Sequence, residues 1–260
     1  MYQYFYKYQA TGNDFVMIDN RQNNFNGSNY SLIRKLCDRR FGIGADGLIL
    51  ISNDPLYDFN MRYFNADGKE ASMCGNGGRC AVAFARHLKI FRDDHVSFSA
   101  VDGEHEAYME TETVNLKMID VLKTEEVKQG IFMETGSPHY VELCSDIEQI
   151  NVLKNGMAIR NSEDFKPDGT NVNFVEYKND IIHIRTYERG VENETLSCGT
   201  GSVAAALAIS IKYKENKKSY PLKAPGGHLK VSFEQKSDGS FRNIWLEGPA
   251  TRVFAGKIEL

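Results

Sequence analysis

The sequence lacks the features of disulfide-rich, metal-binding and membrane-spanning proteins. Its 5 cysteines form an odd set without Cys-x-x-Cys spacing, which argues against a disulfide framework or a zinc site. No run of about 18 apolar residues occurs, and no basic segment followed by an apolar core marks a secretion signal. A net charge of −4 offers little to attract nucleic acid. We therefore expect a cytoplasmic protein with reduced thiols, without a structural metal, that binds neither membranes nor nucleic acid.

What the sequence does contain is a duplicated motif. Glu70-Ala-Ser-Met-Cys74-Gly-Asn-Gly is repeated as Glu194-Thr-Leu-Ser-Cys198-Gly-Thr-Gly, 124 positions later, and Thr11-Gly12 recurs as Thr135-Gly136 at the same separation. With 260 residues, of which 42% are apolar, each half is large enough to bury a core of its own. The sequence predicts an N-terminal lobe over residues 1–122, completed by a return strand at 249–260, and a C-terminal lobe over residues 123–248.

Short strand-like runs separated by Gly, Asn and Asp dominate both halves. Helices are predicted at Ser31 to Arg39, Arg79 to Phe91, Asp146 to Lys154 and Ser202 to Tyr213. The second and fourth of these follow the cysteine motifs and are apolar on nearly every face, as a helix is when it is buried on all sides. We therefore expect an α+β fold of two pseudo-symmetric lobes, each a mostly antiparallel sheet wrapped around a central apolar helix. Tyr2 to Tyr8 alternates like an exposed edge strand, and Lys123 to Lys128 is interpreted as the crossover between halves.

The two matched cysteines are the candidate reactive groups. Each precedes a Gly-x-Gly helix start, where unpaired backbone N–H groups and the helix dipole favour a thiolate and can also hold a carboxylate. If an α-carboxylate binds there, one sulfur can remove the α-proton on one face and the other can deliver a proton on the opposite face. A single cysteine in this position would more often be a small buried residue, but the repetition favours function. Cys37, Cys80 and Cys144 are interpreted as packing residues.

Motifs along essentially the whole chain resemble diaminopimelate epimerase. They occur in the expected order, which makes the set more specific than any one of them. The matching segments are Ala10-Thr-Gly-Asn13-Asp-Phe, Gly42-Ile-Gly-Ala-Asp-Gly47, Phe64-Asn65-Ala-Asp-Gly-Lys-Glu-Ala-Ser-Met-Cys74-Gly-Asn76-Gly, Ser137-Pro-His139, Asn171-Val-Asn-Phe, Tyr187-Glu188-Arg189-Gly and Ser197-Cys198-Gly-Thr200-Gly.

The resemblance implies an isomerase that interconverts LL- and meso-2,6-diaminoheptanedioate, a diamino dicarboxylic acid, in lysine and peptidoglycan precursor biosynthesis. It implies catalysis by a cysteine acid/base pair, Cys74 and Cys198, without pyridoxal phosphate, another cofactor or a metal. His139 and Glu188 match polar residues that orient the substrate and assist thiol ionisation. Family members are often homodimers, so a homodimer is expected.

The resemblance also implies the substrate-binding residues. Backbone donors to the α-carboxylate are matched by Gly75, Asn76, Gly199 and Thr200. The distal carboxylate is expected to contact Asn65, Asn171 and Arg189, and Asn13 lines the same pocket. Glu188 is expected to bind the substrate close to the cysteines. Three departures from the family pattern affect the details of the pocket: Ser137 replaces a usual Asn, Gly47 replaces a common Gln, and Glu188 lies one residue further from Cys198 than is usual.

Two alternative functions remain open on the sequence. A proline or hydroxyproline racemase would use the same thiol chemistry, but a proline site would leave Arg189 unmatched and costly to bury. A thiol redox or small-molecule binding protein would use Cys74 and Cys198 as a reversible disulfide. The segment Gly42 to Gly47 satisfies a dinucleotide fingerprint, but it follows a helical pattern and precedes a strand, the reverse of the required order.

Overall fold

A computed structural model describes residues 2–215 and 217–260, and strands are more abundant in it than helices. The chain divides into one unit of residues 2–116 with Gly248–Leu260, and a second unit of Lys117–Glu247. The lobe boundaries predicted above, between residues 122 and 123 and between residues 248 and 249, stay a prediction. No helix in the two described ranges combines the length and the apolar character needed to cross a membrane.

The first unit is a sheet around one buried helix. Its elements are β1 (Tyr2–Ala10), β2 (Asn13–Asp19), α1 (Tyr30–Cys37), β3 (Gly47–Ser52), β4 (Phe59–Asn65), β5 (Glu70–Ala71), α2 (Gly75–His87), β6 (His95–Ala100), β7 (Gly103–Glu110), β8 (Thr113–Lys117) and β18 (Thr251–Glu259). β18 pairs antiparallel with β1, β1 with β2, β3 with β4, β4 with β5, β6 with β7, and β7 with β8. β2 with β3 and β4 with β6 are the parallel pairs.

The second unit repeats this plan. Its elements are β9 (Thr124–Val127), β10 (Gly130–Glu134), β11 (Pro138–Leu143), α3 (Val152–Arg160), β12 (Asn171–Lys178), β13 (Ile181–Glu188), β14 (Asn193–Thr195), α4 (Gly199–Tyr213), β15 (Ser219–Ala224), β16 (Gly227–Gln235) and β17 (Phe241–Pro249). From β9 through β17 the pairs follow the same sequence of antiparallel and parallel partners, with β11 parallel to β12 and β13 parallel to β15.

Register confirms the duplication at the level of single residues. Phe15 of β2 is paired with Gly47 of β3. The equivalent pair in the second unit is His139 of β11 with Asn171 of β12, and each of these two residues lies 124 positions after its counterpart. The predicted α+β fold of two similar lobes, each with a central apolar helix, is therefore confirmed. α4 is buried from Gly201 to Ser210 because its Ala-rich sequence lets strands approach it on every side.

Several sequence-based predictions are corrected by the structure. β1 is not an edge strand, because it pairs with β18 on one side and β2 on the other. The charged segment predicted as a crossover contains β9, which pairs with β10. The helix predicted at Asp146 begins instead at Val152, after a short 3-10 turn at Ile147–Gln149. The helix predicted at Ser31 to Arg39 spans Tyr30–Cys37, and its N-cap is Asn29, whose side chain accepts a hydrogen bond from the Leu32 N–H.

A buried ion pair stabilises the first unit beside α1. Lys7, only 5% exposed, places its ammonium 2.8 Å from the carboxylate of Asp14, which also accepts two hydrogen bonds from Arg39. Burial alone would raise the pKa of Asp14, but the bonds from Arg39 and Lys7 outweigh burial and hold that pKa well below its usual range. Asp14 is therefore charged in the folded protein even in moderate acid.

We predict that Asp14→Asn lowers the free energy of unfolding at pH 7 by about 2 kcal/mol, because it leaves the buried Lys7 ammonium without its anion. Since folding depresses the pKa of Asp14, its contribution is fully present above the unfolded value of about 3.9 and is lost progressively as pH falls from there through the lower pKa of the folded state. Urea unfolding at pH 7 and at pH 3 measures both effects. Glu125→Gln, which removes an exposed pair with Lys123, is the control and should change little. Equal acid sensitivity of wild type and Asp14→Asn would contradict the prediction.

Candidate active site

The two matched cysteines occupy the same structural position in their units. Cys74 is the N-cap of α2 and Cys198 is the N-cap of α4. The Gly77 N–H donates to the Cys74 Sγ at 3.2 Å, and the Gly201 N–H donates to the Cys198 Sγ at 3.4 Å. Each sulfur thus takes the place of the oxygen that usually caps a helix, where the helix dipole favours negative charge.

α2 begins four residues and α4 three residues before the predicted starts, because the glycines after each cysteine are helical. Gly75 and Asn76 are the first residues of α2, and Gly199 and Thr200 are the first residues of α4. Their backbone N–H groups belong to the first turn, which has no intrahelical acceptors. Each helix start can therefore hold an anion next to the cysteine, as the sequence suggested. Their contact with a substrate carboxylate stays a prediction.

A fully buried arginine lies one turn into α2. Arg79 is 0% exposed and donates hydrogen bonds to the Gly75 carbonyl, the Thr11 hydroxyl and the Asn76 side-chain oxygen at 3.0–3.2 Å. Its Nε has no acceptor within the described ranges, and it forms no ion pair with a carboxylate there. Burial lowers the pKa of Arg79 to about 10, while the thiols of Cys80 and Cys74 oppose that shift. A largely protonated guanidinium therefore acts electrostatically on Cys74.

The start of α4 has a neutral network instead. His139 is fully buried, and its Nε2 lies 2.8 Å from the Thr200 hydroxyl and 3.0 Å from the Ser137 hydroxyl. The Thr200 hydroxyl lies 3.4 Å from the Cys198 Sγ. Burial lowers the pKa of His139 to about 3, and the charge of Arg189 adds to the shift, so the imidazole is neutral near pH 7. The structure thus brings His139, Thr200 and Cys198 together.

Asn171 and Arg189 also lie together in the second unit. The Asn171 Oδ1 accepts the Arg189 backbone N–H at 2.8 Å, and its Nδ2 donates to the Pro138 carbonyl at 3.0 Å. The Arg189 guanidinium donates to the Asp168 carbonyl at 3.3 Å and forms no ion pair in the part of the chain that is described. Burial raises the pKa of Glu134, and the charge of Arg189 opposes that shift. Asn171 therefore positions Arg189, whose charge is available to an anionic ligand.

The remaining predicted site residues lie at strand ends. Asn13 begins β2, and its buried Oδ1 has no hydrogen-bond partner in residues 2–215 and 217–260. Asn65 ends β4, where its exposed side chain accepts a hydrogen bond from the Tyr63 hydroxyl at 2.7 Å. Glu188 is half-buried at the end of β13. A buried acceptor such as the Asn13 Oδ1 can receive an N–H from a substrate ammonium group.

The other three cysteines have different surroundings. Burial raises the pKa of the Cys37 thiol to about 12 and raises the pKa of Cys80 and of Cys144 as well. These thiols are protonated at neutral pH, as the packing interpretation requires. Cys74 and Cys198 are both half-buried.

Sequence reasoning missed two residues of the site. Asn173 and Thr186 are buried polar residues on β12 and β13: the Asn173 Nδ2 lies 3.0 Å from the His139 Nδ1, and the Thr186 hydroxyl donates to the Asn173 Oδ1 at 2.9 Å. The only sequence signal was a polar Asn173 between apolar Val172 and Phe174 in a segment predicted as a strand.

A family model described as "Diaminopimelate epimerase" matches residues 5–126 and 131–253. A protein named diaminopimelate epimerase from Flavobacterium psychrophilum is 49% identical over 96% of this chain and 97% of its own length. Among solved structures, a phenazine biosynthesis protein of the PhzF family from Bacillus anthracis is similar with a TM-score of 0.82 at 12% identity, covering 100% of both chains. A hydroxyproline epimerase from Agrobacterium vitis is similar with a TM-score of 0.69 at 13% identity, covering 100% of this chain and 93% of its own.

Proposed function

This chain belongs to the diaminopimelate epimerase family, and we propose that it inverts one α-carbon of 2,6-diaminoheptanedioate by proton transfer between two cysteines. The observation that carries the proposal is the matched placement of Cys74 and Cys198 as sulfur caps of two buried helices. The thiolate of one would remove the α-proton, and the thiol of the other would protonate the opposite face. The product differs from the substrate only in configuration, so atoms and charge balance.

The helix starts would stabilise the intermediate. Backbone N–H groups of Gly75, Asn76, Gly199 and Thr200 would hold the α-carboxylate, which gains charge as the α-carbon is deprotonated. That stabilisation grows toward the transition state, which is the condition for catalysis. The distal end of the substrate would bind through the Arg189 guanidinium with Asn65 and Asn171, and the Asn13 Oδ1 would accept a substrate N–H. His139 and Glu188 would orient the groups around the α-carbon.

The proposal includes properties of the whole enzyme. The chemistry assigned to Cys74 and Cys198 needs no pyridoxal phosphate, and we propose a cytoplasmic homodimer that acts in lysine biosynthesis. Light scattering coupled to gel filtration measures the mass in solution, and the absorbance spectrum of the purified protein reports bound pyridoxal phosphate. A monomeric mass, or a pyridoxal chromophore needed for activity, would contradict these parts of the proposal.

The test of the function is deuterium uptake at the α-carbon in D2O. We expect the wild-type protein, without added cofactor, to exchange the α-hydrogen of LL-2,6-diaminoheptanedioate and to form the meso isomer. L-proline and trans-4-hydroxy-L-proline are the matched substrates for the alternative racemase function, and neither should exchange. Exchange of a proline substrate alone would support that alternative. Absence of exchange with every compound would favour a redox or binding protein.

We predict that Arg189→Ala raises KM for the dicarboxylate substrate by at least about tenfold, because the guanidinium is the cation available to the distal carboxylate. The fold should persist, since the side chain makes one described hydrogen bond, to a backbone carbonyl. Steady-state kinetics measures the effect, with thermal unfolding as a check on folding. Arg242→Ala, which removes a half-exposed arginine elsewhere in the same unit, is the control. An unchanged KM in Arg189→Ala would place the distal pocket elsewhere.

A further inference from the structure

We propose that Asn173 is a positioning residue that fixes the tautomer of His139, so that His139 donates to Thr200 and Thr200 donates to Cys198. The proposal rests on the proposed role of Cys198 as a proton carrier, and it gives His139 a different part from that of a base. Five hydrogen bonds in the second unit carry it.

The first step is the orientation of the Asn173 side chain. The Thr186 hydroxyl donates to the Asn173 Oδ1 at 2.9 Å, and the Asn173 Nδ2 donates to the Tyr140 carbonyl at 3.1 Å. Because a backbone carbonyl can only accept, the nitrogen of the amide must be the atom beside Tyr140. Gly201 of α4 restricts the amide further, since a Cβ at that position would lie 2.5 Å from the Asn173 Oδ1. The amide is therefore held in one orientation.

The second step is the proton on His139. The Asn173 Nδ2 lies 3.0 Å from the His139 Nδ1 and directs its second hydrogen at that nitrogen. Nδ1 must accept, so it carries no hydrogen. A neutral imidazole has one N–H, which must then be on Nε2. The Nε2–H faces the Thr200 hydroxyl at 2.8 Å, with Ser137 as the longer alternative at 3.0 Å.

The third step concerns the Thr200 hydroxyl. Because its oxygen accepts from His139, its hydrogen is free to point at the Cys198 Sγ, 3.4 Å away, or at the Ser137 Oγ at the same distance. The donors therefore run in one direction, from Thr186 through Asn173, His139 and Thr200. Each bond in such a chain polarises the next, and a donor aimed at sulfur stabilises the thiolate. His139 cannot accept a proton at Nε2 while Asn173 holds this tautomer.

The first unit has apolar residues where the second unit has this hydrogen-bond network. At the matching register, Phe15 occupies the position of His139 and Ile49 occupies that of Asn173. The duplicated fold therefore forms without these polar residues, and their burial is not needed to build a lobe. Buried polar groups that the fold does not require are candidates for function.

The test is the tautomer itself, measured by 1H–15N correlation spectra of the full chain labelled at histidine. The signals of His139 are identified by their loss in His139→Gln. We expect the wild type to show a neutral ring with the hydrogen on Nε2 that does not titrate between pH 5 and pH 9. In Asn173→Asp the carboxylate accepts a hydrogen, so the ring should gain an Nδ1–H, and kcat should fall about tenfold with little change in KM.

Two further variants complete the design. Thr186→Val removes the hydroxyl that orients the amide and should give a mixture of tautomers; it replaces Asn173→Asp if that variant does not fold. Asn60→Asp, a strand asparagine in the first unit, is the control and should leave the His139 spectrum unchanged. A wild-type ring with the hydrogen on Nδ1, or Asn173 and Thr186 variants with unchanged spectra, would overturn the proposal. The spectra need no turnover, so they are independent of the deuterium exchange that tests the proposed function.

Discussion

Replacing either Cys74 or Cys198 with alanine is expected to lower the epimerisation rate by more than about a thousandfold. Each thiol carries the proton on one face of the α-carbon in the proposed mechanism, so the loss of one stops inversion in both directions. The rate is measured from LL to meso and from meso to LL, by chromatographic separation of the isomers. Both directions should be lost in both variants.

The matched control is Cys144→Ala. Cys144 is half-buried like the two candidate cysteines, but its thiol lies against the Val175 carbonyl in a strand segment and burial raises its pKa. Its replacement should leave the rate within about twofold, since it removes one packing atom and belongs to neither cysteine motif. Retention of more than a few per cent of the activity by Cys74→Ala or Cys198→Ala would contradict the assignment of two proton carriers.

The location of the cysteines at helix starts could be predicted from the sequence, but the first residue of each helix could not. Gly-x-Gly is unfavourable inside a helix, so local propensity placed the starts at Arg79 and Ser202. In the structure the helices begin at Gly75 and Gly199, because the cysteine sulfur accepts the N–H three residues on and the glycines leave room for neighbouring side chains. A cap by sulfur is not a recognised sequence signal.

The pairing of the strands also could not be predicted from local sequence. The alternation in β1 predicts a strand with one exposed face, and that is what the burial shows at its start, where Tyr2 and Tyr4 are exposed. It does not say whether the edge is free, because the partner β18 is separated from β1 by almost the whole chain. Pairings of such long range depend on the complete fold.

The same limit applies to the site. His139 and Asn171 were assigned roles through motifs of a family, whereas Asn173 was assigned none, although it lies in the same motif as Asn171. Its importance comes from β11 and β12 being parallel neighbours, which places its amide beside the imidazole ring of His139. A polar residue inside a buried strand is therefore informative only when the neighbouring strand is known.

The two units have diverged next to their cysteines. Arg79 of α2 has Val203 as its counterpart in α4, 124 positions later, and both are fully buried. The first helix thus contains a buried cation in its second turn, whereas the second helix start has hydroxyl and imidazole side chains beside its cysteine, with the charge of Arg189 acting on His139. Arg79 is therefore a difference between the two helix starts whose effect on the ionisation of Cys74 can be tested.

Replacing Arg79 with methionine is accordingly expected to lower kcat/KM about a hundredfold at pH 7. A cation near a thiol favours its ionised form, and a group without charge of similar volume removes that effect while filling the space. Activity should recover in part as pH rises, because more hydroxide ionises the thiol. Other groups that act on this region are Cys80 on α2, Tyr8 on β1 and Asp14 on β2, and all three are unchanged in the variant.

Arg79→Lys separates charge from hydrogen bonding. Lysine keeps the cation but cannot reach the Gly75, Thr11 and Asn76 oxygens together. The acid side of the profile of kcat/KM against pH should therefore stay near that of the wild type, while KM rises. Arg86→Met is the matched control, an arginine in the last turn of the same helix that pairs with Asp94, and should leave the pH profile unchanged. If Arg79→Met has the wild-type pH profile and rate, the buried guanidinium does not set the ionisation of Cys74, and its burial needs a purely structural explanation.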